Sequence, residues 1–189
     1  MKNERKPKIK MWGGALLLAV LTWEVKSLTK SVQTYMKNTF EESFLVDSNI
    51  LVYYLDADSK YNSLLERFFV LCEEKKLPAT VSLQNIVELT SVLVKKYKVP
   101  KRVVIEKVRR LVHGGLFQVI SPFPSSTNKF FEIMGMLSNP DIYDVFLTAT
   151  MMDNNVFRIL TNNENDFKNI KNLGVWGLEE VKKIIGEHE

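Results

Sequence analysis

The chain has 189 residues, 46% of them hydrophobic, with one cysteine and two histidines. That is enough apolar sequence for one sizeable core, and the lone thiol, Cys72, excludes an internal disulfide or a cysteine-based zinc site. The formal charge of +4 is no nucleic-acid signature either, because residues 1–35 carry seven basic and two acidic residues while the remainder carries 19 against 20.

The leader stands apart. Residues 2–10 are cationic, residues 11–23 form a 13-residue apolar run, and Glu24 ends it. As a helix that run covers about 20 Å, short of the roughly 30 Å hydrocarbon thickness of a bilayer. Residues 21–26 also lack the small side chains of a signal cleavage site. Three readings are open: a membrane-surface or weak anchoring helix, an unusual targeting segment, or upstream sequence included by a misplaced start. The third is favoured, because Met36 opens a segment that reaches Asp47 eleven residues later. Residues 1–42 are therefore set apart from one domain over 43–189, and membrane contact is expected only if 11–23 is retained.

From Phe44 onward short apolar runs alternate with helical periodicity, the pattern of βα units around a mostly parallel sheet. Residues 44–46 read as a buried strand, and Ser48 caps a helix through Tyr54. Residues 62–75 place Leu65, Phe68 and Cys72 on one helical face, with Cys72 as a small buried hydrophobe. Pro78 breaks that helix and 79–81 form a second strand. A helix opening at Ser82 or Asn85 follows, with Leu83, Ile86, Val87, Val94 and Tyr97 as its apolar stripe. Pro100 starts another, with Val104, Val108, Leu111 and Val112 inward and Gly114-Gly115 as its stop. Residues 117–120 are a third strand, leading into the Pro122-Phe123-Pro124 loop. Helices at 128–137 and 142–153 are separated by Asn139-Pro140. A fourth strand spans 156–160, a short last one 175–176, and a helix 178–185 closes the chain.

Four carboxylates stand where apolar segments break off: Asp47, Glu88, Asp144 and Asp166. Two carboxylates about 4 Å apart repel by roughly 4 kcal/mol at an effective dielectric near 20, so a gathered set binds either protons or cations. An all-oxygen set suits magnesium or manganese. Sites in parallel sheets form beyond the carboxyl ends of strands, and both Asp47 and residues 161–166 lie there. Glu88 is aligned with Gln84 and Ser91 on its helix, and Asp144 sits in a first helical turn, where amide dipoles favour negative charge. Singly, Asp47 and the Asp141–Asp144 pair read as helix caps and Glu88 as a solvated side chain; their joint arrangement is what favours a site. His113 and His188 fall outside it. Asp56, Asp58 and Asp153 read as loop or helix-end acids.

The ordered set resembles the PIN-domain family of ribonucleases, particularly the compact VapC-like toxins. The matching stretches are 44–51, 88–89, 144–150, and 159–163 with 166–167, together covering nearly all of 44–170. The resemblance implies a three-layer α/β/α fold around a central mostly parallel sheet. It implies a magnesium- or manganese-dependent endoribonuclease that cleaves single-stranded or loop RNA through a metal-activated water and leaves a 5′ phosphate. Asp47, Glu88, Asp144 and Asp166 are then the catalytic metal ligands, with Asn49, Thr161 and Asn163 as polar supports. One departure stands out: the family often carries an acid two residues after the motif threonine, where this chain has Asn163. The fourth carboxylate therefore falls to Asp166, with Glu164 as a substitute. An antitoxin partner, pairing of subunits and a cytoplasmic setting are further implications.

Lys95, Lys96, Lys98, Lys101 and Arg102, continued by Lys107, Arg109 and Arg110, face only one acid, Glu106, and form a candidate RNA-binding stretch. A solvated helical face explains them equally well. The rival functional reading is a non-catalytic PIN-like module that binds RNA or protein. A haloacid-dehalogenase-type phosphatase is remote, because it needs a second Asp where Asn49 stands.

Overall fold

The computed structural model describes residues 43–74 and 77–186; the leader, and the readings attached to it, lie outside the described residues. Five strands form one all-parallel sheet in the order β3-β2-β1-β4-β5: β1 Phe44–Val46, β2 Ala79–Ser82, β3 Phe117–Ile120, β4 Arg158–Leu160 and β5 Gly174–Trp176. The central strand is β1, with Leu45 opposite Thr80 on one side and Ile159 on the other. All three of its side chains are fully buried. A parallel strand covered on both faces needs such a continuous apolar run.

Two helical layers cover the sheet. Phe44 and Val46 point into the larger core with α1 (Ser48–Leu55), α2 (Asn62–Glu74), α3 (Leu83–Lys95), α4 (Lys101–His113) and α8 (Leu178–Gly186). Leu45 and Ile159 point the other way, toward Leu147 and Met151 of α6 (Ile142–Asp153), with Phe167 of the short α7 (Glu164–Phe167) beside them. Helix α5 (Ser126–Met136) packs on α6 through Ile133. Cys72 is buried, and burial pushes its thiol up to about 12. The fold is thus the expected three-layer α/β/α, with the sheet wholly rather than mostly parallel.

Several expectations change in detail. The buried stripe of α3 is Asn85, Leu89 and Leu93, whereas Leu83, Val87 and Tyr97 are exposed. Leu83 and Val87 have the same four-residue spacing as the buried set but lie two positions, about 200°, around the helix. Strand β4 starts at Arg158, because Asn155 turns the chain with φ 58° and the Val156 N–H caps α6 through Met151 O. Helix α5 starts at Ser126, whose hydroxyl accepts from Phe123 N and donates to Asp153. Helix α7 was not anticipated. No helix among the described residues is long and apolar enough to cross a membrane.

After β1 the chain builds outward through β2 and β3, then returns to place β4 on the opposite side of β1. Loops leaving β1 and β4 therefore diverge at their carboxyl ends. Crevices open at such switch points.

Candidate active site

Asp47 follows β1 directly, and its N–H donates to Leu160 O at 2.9 Å, locking the ends of β1 and β4 together. It is the N-cap of α1, in extended backbone, and its Oδ1 accepts from Ser48 N at 2.6 Å. Its Oδ2 accepts from Thr161 Oγ1 at 2.7 Å and Asn49 Nδ2 at 2.8 Å. Asn85 Nδ2 reaches Oδ1 at 3.4 Å from a capping box with Ser82. Thr161 Oγ1 also accepts from Asn163 N and Asn49 Nδ2, and Asn49 Oδ1 accepts from Asn162 N. Asn49 and Thr161 thus tie together the two loops that diverge at the switch point, while Asn163 joins through its backbone. Burial still holds the Asp47 carboxyl above its ordinary range, against the downward pull of these donors.

The facing wall comes from the first turn of α6. Asp141 caps that helix, accepting from Tyr143 N at 2.7 Å and Asp144 N at 3.4 Å. Among the described residues no hydrogen-bond donor reaches the Asp144 carboxylate. Its carboxyl is pushed up to about 7, first by burial and then by the charges of Asp141, Asp166, Asp47 and Glu88. Glu88 is likewise raised, mainly by burial and then by Asp47 and Asp141, and is partly relieved by the Ser48 hydroxyl. Asp166 lies in the first turn of α7.

These five acids line one cleft of about 840 Å³, together with Asn49, Asn163, Gln84 and Ser91. Four of them are the sequence candidates, and Asp141 is the addition. Its signal was present as an N-cap three residues before Asp144, but a cap explains the same spacing without any site. Ser48 and Asn85 were also missed as partners of Asp47; Ser48 is its immediate neighbour in the chain, and the trace of Asn85 in the sequence is its Ser82-x-x-Asn85 capping box. Glu164 is not in the cleft lining, since its carboxylate occupies the space over Gly177 where a Cβ would stand. His113 is exposed at the end of α4 and does not line the cleft either; His188 lies outside the described residues. The basic stretch from Lys95 to Arg110 is exposed, and none of it lines the cleft. Lys107 and Arg110 instead border a small cavity with Tyr54 and Phe117, where Lys107 Nζ donates to Leu55 O.

As arranged, no three ligating side chains among the described residues are close enough to hold one metal ion between them. The donor set nonetheless suits a hard divalent cation: every group is an oxygen, and Asp144 and Glu88 are raised by burial and then by neighbours of like charge. Magnesium is usually held by one or two carboxylates and keeps several waters, so a cleft with separated acids fits a partly hydrated ion better than a fully ligated one.

No protein-family model matches the sequence, and no curated protein matches it closely. Solved structures do share its fold. A chain of DNA-bound VapBC from Salmonella typhimurium is 15% identical, with a TM-score of 0.56 over 72% of this chain and 98% of that one. A chain of FitAcB from Neisseria gonorrhoeae is 17% identical, with a TM-score of 0.54 over the same shares. A chain of DNA-bound VapBC2 from Rickettsia felis is 22% identical, with a TM-score of 0.51 over 71% and 98%. The sheet order and layers described above are those of the VapC-like, PIN-like fold.

Proposed function

From a VapC-like PIN fold with its acids gathered at the switch point, we propose that the protein is a metal-dependent endoribonuclease acting on single-stranded or loop RNA. The observation that carries this reading is Asp144: a carboxyl raised to about 7 by burial and then by four other acids, in a cleft lined by no lysine or arginine among the described residues. Such a group is poised to exchange a proton for a cation. Asp144 and Glu88 would hold the divalent ion, with Asp47 and Asp166 as the further carboxylates of the same cleft. When bound, the ion supplies a water of lowered pKa and stabilises charge on the phosphate oxygens. Thr161 and Asn49 fix the rotamer of Asp47, so its carboxylate needs no reorientation. No histidine is required as a base.

Because the similar solved chains are components of VapBC and FitAB-type complexes, a small protein antitoxin is the partner that this fold supports. The competing reading, a non-catalytic PIN-like binding module, is favoured by the separation of the acids as arranged. Purified protein incubated with transfer and ribosomal RNA separates the two. The nuclease reading expects cleavage in magnesium or manganese and none in chelator; absence of cleavage in either metal, with no manganese bound in calorimetry, supports the binding module.

A further inference from the structure

An acidic cleft is a poor seat for a polyanion. Its described lining holds five carboxylates and no lysine or arginine, so a nucleic-acid backbone is repelled there except where cations intervene. Affinity must come from other parts of the nucleotide, and the apolar rim of the cleft supplies a surface for them. Tyr143 is 73% exposed, Val87 64% and Leu83 50%, and all three line the cleft. Single exposed hydrophobes are ordinary. Here, however, three of them share one opening, and the Tyr143 backbone is pinned from both sides. Its N–H donates to Asp141 Oδ1 at 2.7 Å, and its carbonyl accepts from Gln84 Nε2 at 3.0 Å. The second bond joins α6 to α3 at the residue that follows Leu83 and precedes Val87 by one helical turn. The aromatic ring is therefore presented from a fixed backbone, with only two side-chain torsions left to order on contact.

Resting on the nuclease reading, we propose that Tyr143 is a stacking platform for an unpaired nucleobase, with Leu83 and Val87 as the apolar surface on the α3 side. Stacking, rather than pairing of phosphates with basic side chains, then holds single-stranded nucleic acid next to Asp144. A base inside a duplex already spends its faces on its neighbours, so the platform selects unpaired strands. Tyr143 is a substrate-positioning residue and contributes nothing to the metal.

The test uses the full chain and a labelled single-stranded RNA of about eight nucleotides, compared with the same sequence as a blunt duplex. KM and kcat are measured in magnesium, and affinity by fluorescence anisotropy in calcium. Tyr143→Ala is expected to raise KM and Kd about tenfold with little change in kcat, while Tyr143→Phe and Tyr143→Trp stay within about twofold of wild type. An abasic substitution moved along the strand should weaken wild-type binding at one position and leave Tyr143→Ala indifferent to it. Cleavage by wild type with unchanged KM and Kd in Tyr143→Ala overturns the platform and leaves the nuclease reading standing. An abasic penalty equal in both proteins overturns it too. Failure of wild type to cleave, with binding still weakened by Tyr143→Ala, removes the nuclease reading and keeps the platform; absence of both cleavage and binding removes both.

Discussion

The two walls of the acidic cleft solve the problem of a carboxylate near a core in opposite ways. On the strand side, Asp47 is buried, yet its oxygens accept hydrogen bonds from Ser48, Asn49, Thr161 and, at longer range, Asn85. On the helix side, Asp144 is half-buried with no donor among the described residues, and its carboxyl is raised to about 7 by burial and then by its acidic neighbours. Both are acids one step from apolar sequence. The difference teaches that Asp47 is a structural anchor within the cleft, whereas Asp144 is electrostatically unsatisfied until a cation or a proton arrives.

The largest effect expected from that contrast separates activity from stability. Asp144→Asn should lower metal-dependent RNA cleavage by at least about a hundredfold, in the range seen for groups that stabilise transition-state charge, while leaving the melting temperature unchanged or raised. Asp47→Asn should lose activity and also destabilise by about 1–3 kcal/mol, because an amide NH₂ must face Thr161 or Ser48 donors. Paired turnover and urea-unfolding measurements check both. Equal destabilisation by the two variants would erase the contrast.

Thr161→Val comes next. It removes one donor to Asp47 and the acceptor for Asn163 N, so about 1–2 kcal/mol of stability should go, with Thr161→Ser largely restoring it. Denaturant titration of the three proteins measures this directly.

The pH dependence is smaller and has the opposite sign from that of a salt-bridged Asp. Asp144 is raised in the folded state, so between about 4 and 7 the folded protein binds more protons than the unfolded chain does. Its contribution to stability is therefore present at low pH and is lost as pH rises through about 7. In metal-free protein the loss attributable to Asp144 should be about 1 kcal/mol, since its half-open position is screened by water. Asp144→Asn should flatten that part of the pH–stability curve, and a wild-type curve unchanged by the substitution would place the proton elsewhere.

The smallest effect concerns the basic stretch outside the cleft. Charge reversal at Lys101 and Arg102 should weaken binding of long RNA and flatten its salt dependence, yet leave short oligonucleotides that fill only the cleft unaffected. Salt titrations with both lengths make the comparison.

Much of the architecture was legible in the sequence because a fully buried parallel strand leaves an uninterrupted apolar run, as in 44–46. Helix α6 was readable at both ends from its Asp141 cap and the polar Asp153-Asn154 exit. The helix at 83–95 was readable as a helix opening at Ser82, but its buried face was not, since its leucines and valines occur on two faces and hydrophobicity cannot tell a core face from an exposed rim. That ambiguity hid Leu83 and Val87, the residues that border the cleft. Within the candidate site, residue type and position after a strand picked out Asp47 and the Thr161 loop. The contribution of Asp141 depends instead on which charges converge in space, and nothing in its local sequence separates a cap from a member of a cluster.

The most direct test of the whole account is calorimetric titration of manganese into metal-free protein at pH 6 in two buffers of different ionisation enthalpy. Binding at the cleft should release close to one proton per ion in wild type, because Asp144 is largely protonated there, and Asp144→Asn should lose both the release and most of the affinity. Manganese binding that is independent of buffer and identical in Asp144→Asn would contradict it.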